Sequence, residues 1–162
     1  MPRVKIQKNL KSRAFVDIFQ QKLLKNGKKK LASRIIQKSL DIIAEKTNKN
    51  AFPILEKAVR NSTPSVQIQT RKKGSNSRII PVLLDFDRGV LQAVRWIIAS
   101  AKKRSEKNFN FKLSYEILDA AKKTGGAYKK KEEVHKIAQK NPQINKKKKK
   151  KKKKNNKKIK VS

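Results

Sequence analysis

Apolar residues recur along this chain with two different periods, and the switches between them mark out its elements. Phe15, Ile18, Phe19 and Leu23 are spaced like one face of a helix, and Asn26-Gly27 supplies a stop signal. A second helix begins near Lys28, turns Leu31, Ile35, Ile36, Leu40 and Ile43 inward, and ends near Thr47-Asn48. A third covers about Phe52 to Asn61, with Leu55, Ala58 and Val59 facing the core. Its Pro53 stands in the first turn, where a missing N–H costs nothing. The period then drops to two, as Val66, Ile68 and Thr70 alternate with Gln67, Gln69 and Arg71. Lys72 to Ser77 is a polar turn containing Gly74, and Arg78 to Leu84 reads as the return strand, so residues 65–84 form a β-hairpin. A lone hairpin is marginally stable and must lean on the helices or on a partner. After Asp87 the helical period returns with Val90, Leu91, Val94, Ile97, Ile98 and Ala101 on one stripe. Asn108 is a candidate cap for the next helix, which turns Leu113, Ile117, Ala120 and Ala121 inward. Gly125-Gly126 reads as a break, and Lys129 to Lys140 as a last helix with Val134, Ile137 and Ala138 inward. The expected fold is all-α, a bundle of about six helices with a protruding β-hairpin arm. Residues 12–141 form this domain, 1–11 a basic N-terminal arm, and 142–162 a lysine-rich disordered tail.

Composition narrows the partners. The chain of 162 residues carries 46 Lys and Arg against 11 Asp and Glu, a net charge of +35. Its hydrophobic content of 36% lies below the roughly 45–50% of ordinary globular chains, so part of it stays outside the core. Lys146–Lys154 is an unbroken lysine run, and such a block repels itself and stays extended. That run has two readings, a tolerated product of an A-rich gene or an RNA-binding tail. A surface this basic calls for a polyanion, nucleic acid or an anionic membrane. No apolar run approaches the roughly 18 residues of a membrane span, and helix faces with clustered Lys and Arg, a basic ribbon and basic termini suit a folded nucleic acid. Met1–Lys11 has neither the apolar stretch of a secretory signal nor the pattern of a transit peptide.

Candidate chemistry is sparse. The absence of cysteine excludes disulfides, thiolate zinc sites and Cys nucleophiles. His135 is the single histidine, so it reads as a structural or phosphate-contacting residue and not as a metal ligand. Gly125-Gly126 lacks the spacing of a phosphate-binding loop. Asp85 and Asp87 flank Phe86 and suit either a nuclease-like carboxylate pair or a cap. Asp87 as the cap of the following helix is the favoured reading, because a carboxylate suits the positive dipole end. Trp96 reads as packing, with base stacking as its alternative. The chain is expected to be a binding protein, not an enzyme, without cofactor or metal. Structured RNA, recognised by shape, looped bases and phosphates, is the favoured target. A generic nucleic-acid-binding or DNA-packaging protein acting through its basic tails is the alternative.

Several stretches together then carry a specific resemblance. They are Gly27 through Ile36, and the hairpin spacing Pro64, Arg71-Lys72, Gly74 and Pro81. They continue with Arg95-Trp96 through Lys107, Glu116 through Ala121, Gly125-Gly126-Ala127, Lys129 through Ala138, and Asn141. Over residues 12–141 the chain resembles the universal small-subunit ribosomal protein number seven family. The resemblance implies a fold of about six helices with a hairpin and a place in the head of the small ribosomal subunit. It implies binding of the 3′ domain of the ribosomal RNA, nucleation of head assembly, and contact with neighbouring head proteins. It also implies a hairpin near the exit tRNA site and the messenger path.

There are departures from the family. Ser75 and Arg78 stand where the family's hairpin tip has a glycine and an aromatic, and Asn141-Pro142-Gln143-Ile144 runs into lysines where the family has an aromatic and basic ending. The Asn-, Ile- and Lys-rich composition suits an AT-rich genome, hence an organelle-encoded, mitochondrial protein, with plastid or bacterial origin as the alternatives. Expected RNA contacts are Arg3, Lys5, Lys8, Lys11 and Arg13 in the arm and at its junction with the domain. Lys28, Lys29, Lys30 and Arg34 would hold one RNA surface, and Arg95, Lys102, Lys103 and Arg104 another, with Lys107, Lys129, Lys130 and Lys131 beside them. Arg71, Lys72, Lys73, Gly74 and Arg78 would place the hairpin near tRNA and messenger. Neither membrane association nor a homo-oligomer is expected.

Overall fold

The computed structural model describes residues 12–73 and 76–140, with side chains at 13–70 and 79–140. The proposed arm, the lysine tail and Gly74 lie outside the described residues. Six helices and one hairpin follow in the order α1 (Ser12–Leu23), α2 (Lys29–Thr47), α3 (Ala51–Ser62), β1 (Val66–Lys73), β2 (Asn76–Leu83), α4 (Phe86–Lys102), α5 (Phe109–Ala121) and α6 (Gly125–Lys140). The architecture is the helical bundle with a ribbon that the periodicity predicts.

Helix α5 is the centre of the bundle, packed against α2, α3, α4 and α6. Its buried residues, Leu113, Ser114, Glu116, Ile117, Ala120 and Ala121, form one wide face, and of the remaining positions only Phe111 is exposed. Around it, α1 contributes Phe15 and Phe19, α2 Ile36 and Ile43, α3 Leu55 and Val59, and α4 Val94 and Ile97. Trp96 is buried in this core, as its packing reading has it. Asn61 ties three helices together. Its side-chain amide donates to the carbonyls of Ala120 and Ala121 at 3.1 and 3.0 Å, closing the C-terminus of α5, and its own carbonyl accepts from Lys131 of α6.

The hairpin pairs Val66 with Leu83 and Ile68 with Pro81, through to Lys73 with Asn76. Pro81 removes one ladder donor, which a two-stranded ribbon tolerates because both its strands are edges. The ribbon is anchored at its root. Val66 and Pro81 are buried, the Leu84 amide donates to Ser65 at 3.0 Å, and α6 packs against β1. Gly89 lets α4 pass close to this root, since a Cβ there would stand 2.8 Å from the carbonyl oxygen of Pro64.

Four expectations are corrected. Helix α6 begins at Gly125, four residues before Lys129. The glycine pair is its start and not a break: Gly125 takes φ +86, and a Cβ on Gly126 would stand 2.9 Å from the Ser100 hydroxyl of α4. Leu31 is half exposed, because the inner stripe of α2 runs through Ala32, Ile36, Leu40 and Ile43, and Leu31 lies one position off it. Ile137 is likewise well exposed, at 40%; α6 turns Ala127 and Ala138 inward. Helix α4 starts at Phe86, so Asp85 holds the N-cap position and Asp87 lies in the first turn. The Asp85 side chain makes no capping hydrogen bond; the acid in the first turn still suits the helix dipole.

Candidate nucleic-acid interface

The start of α2 concentrates positive charge where a helix least favours it. Lys28 holds the N-cap position without a side-chain capping hydrogen bond, and the first turn has no acid. Lys29 and Lys30 follow at once. The free amides and dipole of a helix N-terminus attract anions and repel cations, so this end is left electrostatically unsatisfied. Gly27, at φ +72, turns the chain into it. Lys28, Lys29, Lys30, Leu31 and Arg34 line an open depression of about 530 Å³ around this end, and all five are exposed.

Lys102, expected on a separate surface, meets the α2 cluster here. A second, narrower groove of about 210 Å³ is lined by Lys28, Leu31 and Ile35 of the α2 segment together with Ile98 and Lys102 of α4. Lys22, Leu23 and Lys25 close it from the end of α1, and Phe109 from the start of α5. Lys28 and Leu31 line both cavities, so the basic surface runs on from one to the other. Its rim carries Lys22, Lys25, Lys28 and Lys102, and no carboxylate lines it. Lys103 and Lys107 are exposed in the loop after α4, Arg95 on α4 itself, and Arg13 in the first turn of α1.

Two expected contacts point elsewhere. Arg104 directs its guanidinium into the fold, where Nε donates to Glu116 at 2.9 Å and the terminal nitrogen bonds both Glu116 and Asp119. Burial works against the charge of this guanidinium, but the hydrogen bonds to Asp119 and Glu116 hold its pKa above the ordinary value. Lys131 donates to the carbonyl of Asn61, and burial lowers its pKa, with nearby Lys123 adding to the effect against Glu132. Lys129 and Lys130 are exposed on α6. Arg71, Lys72, Lys73 and Arg78 lie in the paired strands, Arg71 opposite Arg78, and their side chains, like Gly74, Arg3, Lys5, Lys8 and Lys11, lie outside what the structure describes. His135 accepts from the Ser65 amide at 3.2 Å, the structural role. Burial, then Lys131, lowers its pKa.

Sequence reasoning missed Glu116. It is 1% exposed and accepts from the Ala127 amide at 2.9 Å as well as from Arg104. A carboxylate on α5 thereby closes the N-terminus of α6 from outside. The signal was present: Glu116 lies three residues after Leu113 and four before Ala120, on the inward face. Lys131 likewise falls on the stripe Ala127, Lys131, Val134 and Ala138.

No helix among the described residues is long and apolar enough to cross a membrane, and no group of three or more His, Asp or Glu among them is placed to hold a metal. Together these features define a mostly helical, strongly basic protein with a ribbon arm. Residues 2–142 match the family described as ribosomal protein S7p/S5e, and the chain belongs to that family. It is 39% identical over 131 residues to small ribosomal subunit protein uS7c of Tupiella akineta, covering 81% of this chain and 84% of that protein. It is 38% identical over 126 residues to small ribosomal subunit protein uS7 of Thermosynechococcus vestitus, covering 78% and 81%. These are structural ribosomal proteins and not enzymes, and the chain is accordingly a ribosomal protein without a catalytic role.

Proposed function

We propose that this protein is a structural constituent of the small ribosomal subunit that clamps the 3′ (head) domain of the ribosomal RNA and nucleates assembly of the head. The observation that carries the reading is the continuous basic face around the uncapped start of α2, in a member of a ribosomal protein family. Lys28, Lys29, Lys30 and Arg34 hold RNA phosphates on one side of the groove. Lys102, Lys103, Lys107 and Arg95 hold them on the other, with Arg13 and the arm residues Arg3, Lys5, Lys8 and Lys11 continuing the contact. Lys129 and Lys130 extend it along α6. Arg104 and Lys131 hold the fold that presents these residues. The hairpin, with Arg71, Lys72, Lys73, Gly74 and Arg78, lies near the exit tRNA site and the messenger path, and neighbouring head proteins complete the surroundings of a single copy. The composition favours an organellar ribosome, mitochondrial as first choice. The plastid alternative is supported by the likeness to uS7c of Tupiella akineta.

Binding of the full chain, and of a form ending at residue 145, to the 3′-domain junction RNA and to a shuffled RNA of equal length tests this. A strong preference for the junction in both forms is expected. The logarithm of affinity should fall with the logarithm of salt, with a slope of about 0.7–0.9 per phosphate neutralised. Equal affinity for both RNAs, or binding lost with the tail, would leave a generic nucleic-acid binder.

A further inference from the structure

The narrower groove differs in kind from the rest of the basic face. Its rim is lysine, but its floor is apolar: Leu23, Ile35 and Phe109 are partly buried against the core, and Ile98 is buried. Leu31 stands over it half exposed, at 50%. Phosphates need none of this. A ring of lysines around an apolar floor matches a ligand that is anionic at its edges and flat and apolar in its middle.

We propose that this groove takes one unstacked nucleobase of the bound RNA, held against Phe109 and Leu31 while Lys28 and Lys102 engage the phosphates on either side. The inference rests on the ribosomal-RNA reading above and specifies it. The size agrees: about 210 Å³ falls below the roughly 300 Å³ at which pockets for drug-sized ligands begin, and suits a single base. The charge agrees as well, since four lysines and no carboxylate line the rim. An apolar side chain from a neighbouring protein would cover the floor but leave those lysines facing one another without a counter-charge. Sequence-tolerant stacking of looped bases on aromatic and apolar side chains is a common mode of RNA recognition.

Abasic substitution at each unpaired position of the junction RNA, with the full-length protein, tests the proposal. One position is expected to lower affinity about tenfold, within the range of a single stacking contact. The salt slope should stay unchanged there, because no phosphate is removed. Leu31→Ala, a change at an exposed position that leaves the fold intact, should weaken binding several-fold and remove most of the penalty at that same position. A flat abasic scan with the junction still preferred over shuffled RNA overturns the base site and leaves the ribosomal-RNA reading standing. Loss of junction preference in the unaltered protein overturns that reading itself. Unchanged RNA binding by Leu31→Ala, with poorer incorporation into reconstituted small subunits, overturns the base site in favour of a protein occupant.

Discussion

Helices α2 and α6 both start beside a glycine with positive φ, and neither has an acid in its first turn. Their free amides nevertheless meet opposite surroundings. At α6 the buried carboxylate of Glu116 accepts from Ala127 and is itself held by Arg104, so amide, carboxylate and guanidinium satisfy one another inside the protein. At α2 no side chain caps the helix, and lysines occupy its first positions. The difference separates two uses of the same physics. One terminus is closed by the protein and stabilises the fold; the other is left open on the basic face, where an arriving phosphate gains most.

Breaking the closed end should have the largest effect. Glu116→Ala leaves Arg104 without its buried partner and the Ala127 amide of α6 without an acceptor. A loss of about 3 kcal/mol is expected in urea unfolding, at the low end for a buried pair because Arg104 is partly solvated. Glu116→Gln should lose less, since its amide oxygen still accepts. Next comes Gly126→Ala, whose Cβ would crowd Ser100 at 2.9–3.0 Å. It should cost about 1–2 kcal/mol by overpacking, read as a lower thermal midpoint. The open end should respond in the opposite direction. Lys28→Asp supplies the missing cap and reverses a repelling charge, so α2 should gain about 1 kcal/mol while junction RNA binds more weakly. A protein that is both less stable and weaker in binding would contradict the comparison.

The smallest effect concerns pH at the hairpin root. His135 has its pKa lowered in the folded protein, so the unfolded chain takes up the proton first on acidification. Stability should therefore be unaffected above the ordinary histidine value of about 6.5 and decline below it, as protonation removes the acceptor for Ser65. His135→Gln should flatten that part of the decline when thermal midpoints are compared at pH 7.5 and 5.5.

Periodicity carried most of the fold, because each helix keeps one apolar stripe and only the hairpin alternates. It was less informative about charge. A lysine or arginine in the sequence does not declare where its long side chain ends. Arg104 and Lys131 read as surface cations until Glu116, Asp119 and the Asn61 carbonyl are found facing them. The two basic clusters looked separate because they lie about 70 residues apart in the chain, and only the packing of both α2 and α4 against α1 and α5 brings Lys28 and Lys102 to one groove. Gly125-Gly126 misled for a related reason: the same residues break a helix or start one, depending on what lies alongside.

The hairpin's anchoring has a mechanical consequence. Beyond the Ile68–Pro81 pair, whose Pro81 is buried, lie five more register pairs, from Gln69–Ile80 to Lys73–Asn76, an overhang of roughly 17 Å at about 3.4 Å per residue. Among the described residues it is anchored at its root and against α6, the geometry of a lever. A tilt of roughly 10° at Ser65 and His135 would sweep its far end through about 3 Å, the length of one hydrogen bond. Rearrangements too small to disturb the bundle can thus make or break contacts at the tip of the arm.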